Sequence, residues 1–568
     1  MKILGLNAGE FNTSASILIK GEIKAAVQEE RFTRKKFTKE FPYNSIRYCL
    51  TEEKLKISDL DAISIGWNPS AHMNSYNEQF SKTRILRENN LYSMSDNLFN
   101  MSNRNVGDFT LVKHGNTKSM PEIFHVQHHL CHASTAFFLS NFDEAAILTA
   151  DFKGETQCTT WSHGKGNNIK TIDFQNIPDS LGIIYATFTQ LLGYKADSDE
   201  WKVMAMSAHN VDCKNYIKKI RLTYTLLNNG KLKLNKSFYG FFSKENKNLY
   251  TTKLLRLLNV KKVFYKNNPL EKDILIAKAL QFCAEEIAIH FLKHLYNLTK
   301  CKNLVLGGGF FMNSVFNGKI AEKTNFKNVY ISYAPTDTGN SIGSSLFTYH
   351  CIKKQKRKFI SNTALLGPKY SNNYIESILT KRKIKFKKIV NHSKVIAKEC
   401  FNGGVVAYFR NRLEFGDRSL GCRSIIADPR FEKTKDLINS SIKYREKYRP
   451  FAPSVIEEKA DKFFSVKKGY KCKYMEKVIK VKPEFRNKLS AVTHYDGTGR
   501  LQTVSKKENI DFYNILSEFE KLSGFPILLN TSFNMNGEPV VNNPEDALKT
   551  FFNCKLKTMV IGNYLIKK

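Results

Sequence analysis

Short apolar runs alternate with polar turns from the first residues of the chain. Residues 3–7 and 15–19 are apolar stretches joined by a polar turn, and 22–27 follows after a second turn, so the spacing predicts three strands in a meander. Residues 145–151 read as an apolar strand ending in a carboxylate, and 303–306 as a strand running into Gly307-Gly308-Gly309. Between them, 274–298 has helical periodicity and no Pro or Gly, which predicts a long core helix. Further on, 405–410 and 526–530 are strand-like, 546–552 is helical, and 558–566 reads as one closing strand. Residues 212–270 are rich in Lys, Asn and Tyr and weakly patterned, which suggests a surface insertion. No internal repeat is visible.

At 568 residues the chain is too long for one core. The pattern divides it into a 1–352 α/β domain carrying the 212–270 insertion, a basic linker at 353–361, and a 362–568 α/β domain. A hydrophobic fraction of 42% excludes wholesale disorder, and no apolar run reaches the roughly 18 residues of a membrane helix. The N-terminus turns polar too soon for a signal peptide. The eleven cysteines form no CxxC pair, so a disulfide framework and a structural zinc site are not expected, and a reducing cytoplasm is. Lys and Arg number 89 against 52 Asp and Glu, a net charge of +37. A polyanion such as RNA, or an anionic membrane surface, would suit it, but the lysines are dispersed, which favours a solvated surface and makes nucleic acid a poor candidate.

Candidate chemistry sits in three places. His128 and His132 are four apart, so a helix puts both imidazoles on one face. They are half of a divalent-metal site or a hydrogen-bonded helix pair; Asp151 and Asp337 would complete a His2Asp2 set suited to iron, manganese or zinc. Gly307, Gly308 and Gly309 after a strand, with Asn313, suit close approach of a nucleotide or a tight turn, and Gly154 could form a second phosphate turn. The densest signal is the arginine-rich stretch 410–424, with Arg410, Arg412, Arg418 and Arg423, followed by Lys443, Arg445, Arg449, Asn530 and Ser532. Guanidinium forks and an ammonium are what a phosphate dianion needs.

These segments resemble the O-carbamoyltransferase family of antibiotic biosynthesis and nodulation-factor decoration. The likeness is carried by Gln28-Glu29-Glu30-Arg31-Phe32-Thr33-Arg34, His128-His129-Leu130-Cys131-His132-Ala133, Ser180-Leu181-Gly182, Lys202-Val203-Met204, Glu414-Phe415-Gly416-Asp417-Arg418-Ser419, Arg449-Pro450-Phe451-Ala452 and Leu529-Asn530-Thr531-Ser532-Phe533-Asn534. It implies an actin/hexokinase-like N-terminal domain, similar to the tRNA threonylcarbamoyl-transferase fold, and a YrdC-like C-terminal domain. It also implies an ATP-dependent enzyme that moves the carbamoyl group of carbamoyl phosphate, through carbamoyl-adenylate, to a hydroxyl of a small molecule or sugar. A tRNA-modifying relative and a non-catalytic relative are the alternatives. On the resemblance His128, His132, Asp151 and Asp337 bind a metal, iron(II) first among the candidates. Arg418, Lys443, Arg445, Arg449, Asn530 and Ser532 hold carbamoyl phosphate, with Lys443 and Arg418 catalytic, and Gly154, Gly307 to Gly309 and Asn313 face ATP. The family shows His-Asp where this chain has Phe11-Asn12, Lys-His where it has Lys36-Phe37, and His where it has Asp179. It also shows Gly at Phe152 and Ala205. Asp179 is therefore the candidate base toward the acceptor, unless the acceptor brings its own.

Overall fold

The computed structural model describes residues 1–8, 11–68, 121–242, 248–261, 269–358, 363–446, 448–449 and 451–568. Residues 359–361 of the expected linker, 243–247 and 262–268 of the expected insertion, and Pro450 lie outside them.

The meander forms as expected. Strands β1 (Lys2–Asn7), β2 (Ser14–Ile19) and β3 (Glu22–Gln28) pair antiparallel, and β4 (Ala62–Ile65) and β5 (Glu122–His125) add in parallel, giving the order β3-β2-β1-β4-β5. Strands β6 (Glu144–Ala150), β7 (Gln157–Lys165) and β8 (Asn168–Asn176) form a second meander. A two-stranded ribbon, β9 (Tyr224–Leu226) with β10 (Leu232–Leu234), follows. Strands β11 (Asn303–Gly307) and β12 (Asn328–Ile331) then add in parallel to β6, giving β12-β11-β6-β7-β8. The same topology thus occurs twice, which is the actin/hexokinase-like arrangement. The repeat that is invisible in the sequence is a repeat of connections, because burial on a sheet face asks for apolar residues and not for particular ones.

The third sheet is mixed and nine-stranded. Its strands are β13 (Lys387–Lys388), β14 (Val405–Phe409), β15 (Arg423–Ala427), β16 (Ala452–Ile456), β17 (Lys477–Lys480), β18 (Thr498–Val504), β19 (Ile527–Ser532), β20 (Thr558–Ile561) and β21 (Tyr564–Lys567). They stand in the order β13-β21-β20-β14-β15-β19-β16-β18-β17. The expected single closing strand is a hairpin, because Gly562 turns the chain between Ile561 and Tyr564. The apolar strand expected to stop at Asn530 continues in ladder pairing to Ser532.

Two expectations are corrected. The described residues of 212–270 do not lie on the surface alone: Ile220, Tyr224, Leu232, Leu234, Leu254 and Leu258 are buried in the core around the long helix Glu271–Thr299. Their apolar positions are spaced by Lys and Asn, which hides a packed face. The basic segment after 352 is docked. Arg357 donates to the carbonyls of Phe142 and Phe137 at 2.6 Å and Ser140 at 2.8 Å, with its guanidinium over the Phe137 ring.

Arginines also join the N-terminal half to the third sheet. Arg31 donates to Gly416 O at 3.0 Å, Arg34 to Val540 O and Pro539 O at 2.6 and 2.8 Å, and Arg412 to the Tyr48 hydroxyl at 2.8 Å. The loop that carries Arg418 is pressed inward at Gly416, whose φ of +109° and 2.3 Å approach of a Cβ to Tyr333 O admit no side chain.

Candidate functional site

The helix His128–Phe138 places His128 and His132 at the C-terminal ends of β6 and β11. Both rings are buried, and their Nε2 atoms lie 2.9 Å apart. Asp151, just past β6, brings Oδ2 to 3.0 Å from His132 Nε2 and 3.7 Å from His128 Nε2. Asp337, in the loop after β12, brings Oδ1 to 3.4 and 3.5 Å from the same nitrogens. All four donor atoms lie within 4.8 Å of one another. Ligands about 2.1 Å from one ion stand about 3.0 Å apart at right angles and about 3.4 Å apart in a tetrahedron, so these spacings fit a single divalent cation.

The surroundings fit it as well. Asp151 is oriented by two backbone donors, Phe152 N–H at 2.6 Å to Oδ1 and Gly309 N–H at 3.0 Å to Oδ2. His128 Nδ1 lies 3.3 Å from the Asn340 amide, whose Oδ1 is buried without a partner. Turning that amide over lets Oδ1 accept from Nδ1–H and leaves the Nε2 lone pair for the ion. Burial disfavours charge on His128, yet Asp337 and Asp151 outweigh it and raise the ring to about 9. The carboxylates demand a positive charge at this point.

The glycines divide. Gly309 lines a cavity beside the Asp151 carboxylate. Gly307 and Gly308 do not line it: a Cβ on either would strike His132 O at 2.7 Å or Ala150 O at 2.3 Å, so they let the strand end pack on its neighbours. Gly154 faces the His129 ring in a turn closed by its own N–H to Gln157 O at 2.7 Å. Asn313 lines the cavity, but its amide is exchanged with Gln281 at 2.9 and 3.1 Å. Close packing accounts for the absence of a side chain at Gly154, Gly307 and Gly308.

That cavity, ≈ 380 Å³, is shared by both halves of the chain. Asp151, Asp337 and Gly309 line it from the first; Arg418, Lys443, Arg445, Arg449, Asn530 and Ser532 line it from the second. Lys443 Nζ is tethered to Asn534 Oδ1 at 2.7 Å and to the Ser532 carbonyl. Arg445 donates to Asn439 Oδ1 at 2.7 Å, and Arg449 stacks on Trp201 while donating to Glu446 at 3.1 Å. Burial, with Arg445 and Arg449 alongside, pushes the Lys443 ammonium well below its ordinary range. Of the four arginines in the dense stretch only Arg418 reaches the cavity. Arg410 pairs with Asp511, Arg412 ties to Tyr48, and Arg423, 0% exposed, donates to the carbonyls of Arg410, Asn411 and Pro368.

Sequence reasoning missed Arg500. It lines the cavity from β18, and neither its guanidinium nor that of Arg418 has a hydrogen-bond acceptor among the described residues. Its signal was strand alternation: Arg500 and Gln502 share a face, and Gln502 accepts from Asn530 at 2.9 Å. Asp179 is the opposite case. Its carboxylate accepts from Lys233 Nζ at 2.9 Å and Leu234 N–H at 2.8 Å, outside the cavity lining, so it is not placed as a base. The acidic side chain that the departures do not announce is Asp197, which lines the cavity and is held up to about 8 by burial and by Asp337. Phe11 and Phe37, which stand at two departures, stack at 5.0 Å on the cavity wall.

Residues 2–346 match the profile of the carbamoyltransferase N-terminus and residues 397–568 that of the carbamoyltransferase C-terminus. The nodulation protein NolNO of Sinorhizobium fredii is 34% identical over 564 residues, 98% of this chain and 79% of that protein. An uncharacterised protein of Synechocystis sp. is 32% identical over 100% of this chain and 96% of its own length. Among solved structures, T. kodakarensis HypF overlaps 64% of this chain and 50% of its own, at 13% identity and a TM-score of 0.32.

Proposed function

The chain belongs to the carbamoyltransferase family and is a carbamoyltransferase, and from that premise we propose that it transfers the carbamoyl group of carbamoyl phosphate, through a carbamoyl-adenylate made with ATP, to a hydroxyl of a small molecule or sugar. The observation that carries the reading is the single cavity lined by the His2Asp2 side and by the cation cluster. A cavity common to both sites shortens the path that an intermediate as short-lived as carbamate must travel.

In the cation cluster, Arg418, Arg445, Arg449 and Lys443 bind the phosphate of carbamoyl phosphate and stabilise it as a leaving dianion when water attacks the carbamoyl carbon. Carbamate and phosphate are the products of that step. A carbamate oxygen then attacks the α-phosphorus of ATP, releasing pyrophosphate and forming carbamoyl-adenylate. The acceptor hydroxyl attacks the carbamoyl carbon, loses its proton and releases AMP. A divalent ion, iron(II) first among the candidates, held by His128, His132, Asp151 and Asp337 would neutralise phosphate charge on the nucleotide. The Gly309 N–H, already committed to Asp151, keeps that carboxylate turned toward the cavity.

The test is to incubate the purified protein with carbamoyl phosphate and ATP and follow phosphate, pyrophosphate and carbamoyl-adenylate by mass spectrometry. Phosphate from carbamoyl phosphate with concerted ATP consumption is expected. ATP left intact in the presence of carbamoyl phosphate and divalent metal rules the adenylate route out. Sugars and hydroxylated metabolites offered to the active enzyme then identify the acceptor class.

A further inference from the structure

The last step of the proposed reaction leaves one proton to place. An alcohol attacks well only as its O–H proton departs, so a group that can take the proton belongs where the acceptor meets the carbamoyl-adenylate. The titratable groups that line the cavity can be sorted by what already holds them. Asp151 and Asp337 are turned to the ion site. Glu30 accepts from Arg31 Nη1 at 2.6 Å and from Phe37 N–H at 2.8 Å. Asp417 accepts from the Thr336 hydroxyl at 3.1 Å, and Glu200 from Asp197 N–H at 2.7 Å. Glu538 and His494 line the cavity from the second half, where Glu538 accepts from Met535 N–H at 3.3 Å and His494 faces Arg500 and Lys435. Asp197 differs from all of them. Its carboxylate lines the cavity from the first half, accepts no hydrogen bond and forms no ion pair among the described residues.

We propose that Asp197 is a catalytic residue of the transfer step, its carboxylate taking the proton of the acceptor hydroxyl as that oxygen bonds to the carbamoyl carbon. The bond from that carbon to the phosphate oxygen of AMP breaks in the same step, and its electron pair leaves with AMP. The Asp197 carboxyl returns the proton to water when the carbamoylated product departs. The inference deepens the proposed function and rests on it.

The backbone holds this side chain in place. Asp197 has a φ of +59°, a left-handed conformation that aspartate enters more readily than bulky or branched residues do. Its N–H is fixed on Glu200 Oε1. The turn is closed by Asp199 N–H to Lys195 O at 2.9 Å and by the Asp199–Lys202 ion pair at 3.0 Å. These bonds use other groups of the turn and leave the Asp197 carboxylate for a ligand.

The surroundings strengthen it as a base. Burial first, then Asp337, Glu200 and Asp151, hold the carboxyl up to about 8, with Lys153 acting the other way. The influence of Asp337 and Asp151 also sets it on the His2Asp2 side of the cavity, away from the cation cluster. A base works best with a pKa near the working pH, and this carboxyl lies far closer to it than an ordinary aspartate.

The experiment uses the full-length protein with carbamoyl phosphate, ATP and divalent metal, and two probe nucleophiles at high concentration, glycerol and hydroxylamine. Glycerol needs its proton removed as it attacks. Hydroxylamine attacks through a free nitrogen lone pair and loses its proton afterwards. The ATP-dependent products, glyceryl carbamate and hydroxyurea, are followed by mass spectrometry alongside pyrophosphate. Asp197→Asn is expected to release pyrophosphate and form hydroxyurea at close to the wild-type rates, while glyceryl carbamate falls by roughly 10²–10⁴-fold. Asp197→Glu, which restores a carboxylate, should recover part of that loss. An Asp197→Asn protein that keeps the glycerol rate overturns the inference. One that loses both products in step overturns it too, for that is the mark of a structural residue. Wild type that makes the adenylate and carbamoylates no glycerol sinks the inference alone. Wild type that makes no carbamoyl-adenylate takes down the proposed function together with it.

Discussion

His128 Nε2 and His132 Nε2 face each other at 2.9 Å across one turn of helix, with Asp151 Oδ2 and Asp337 Oδ1 within 3.7 Å of both. Two ring nitrogens at that distance share either a proton or a cation. With a carboxylate on each side the cation is the better match, because it takes all four atoms at once.

The first prediction follows from that arrangement. Wild type should carry one divalent ion per chain in elemental analysis, and His128→Ala should carry less than about a tenth of that, since a ligand and its oriented partner are lost together. Circular dichroism should be unchanged. Wild type that turns over without stoichiometric metal contradicts the assignment.

The cation cluster gives the second. Lys443→Met keeps the length of the side chain and removes the charge that Ser532 and Asn534 hold in place. Phosphate release from carbamoyl phosphate should fall by roughly 10–150-fold, the loss of one charge-assisted contact of about 1.5–3 kcal/mol. ATP binding should survive in the same protein. Unchanged phosphate release counts against the second half as the carbamoyl phosphate site.

Asp179→Asn should leave carbamoyl transfer at the wild-type rate. Its partner Lys233 is 55% exposed, and an asparagine oxygen still accepts from Leu234 N–H, so the stability cost should be no more than about 1 kcal/mol in a denaturation curve. A tenfold loss of transfer with intact adenylate formation would reinstate Asp179 as the base.

His494 gives a prediction in pH. Its pKa in the fold is lowered to about 4 from the ordinary 6.5, so the unfolded chain takes up the proton first. This site's contribution to stability is intact above pH 6.5 and is lost as pH falls toward 4. Imidazole resonances assigned to His494 should titrate near pH 4. A midpoint near 6.5 means that the ring is solvated and charged on demand, which the buried Nε2 does not allow.

The meander β1–β3, the paired histidines and the long helix were legible because each rests on a local pattern: short apolar runs between polar turns for the strands, a spacing of four for His128 and His132, and helical periodicity without Pro or Gly for the helix. What was not legible depends on which way a residue points once sheets are stacked. Arg410, Arg412, Arg418 and Arg423 are equivalent in the sequence, yet one faces the cavity and three hold backbone or other side chains. Arg500 and His494 were missed for the converse reason. They stand alone in strand and turn, without the density that made the 410–424 stretch visible. Residues 212–270 misled because lysines and asparagines dilute a buried face carried by Ile220, Leu232 and Leu254.

The guanidinium groups of Arg418 and Arg500 line the cavity with no hydrogen-bond acceptor among the described residues. On the proposed chemistry the guanidinium groups that admit carbamoyl phosphate are also the ones that retain the phosphate it leaves behind, because they grip the part common to both. The enzyme is then throttled by its own by-product. Each turnover waits for a dianion to quit a well of positive charge, and the ambient phosphate of the cell sets how often that well stands open to the next donor.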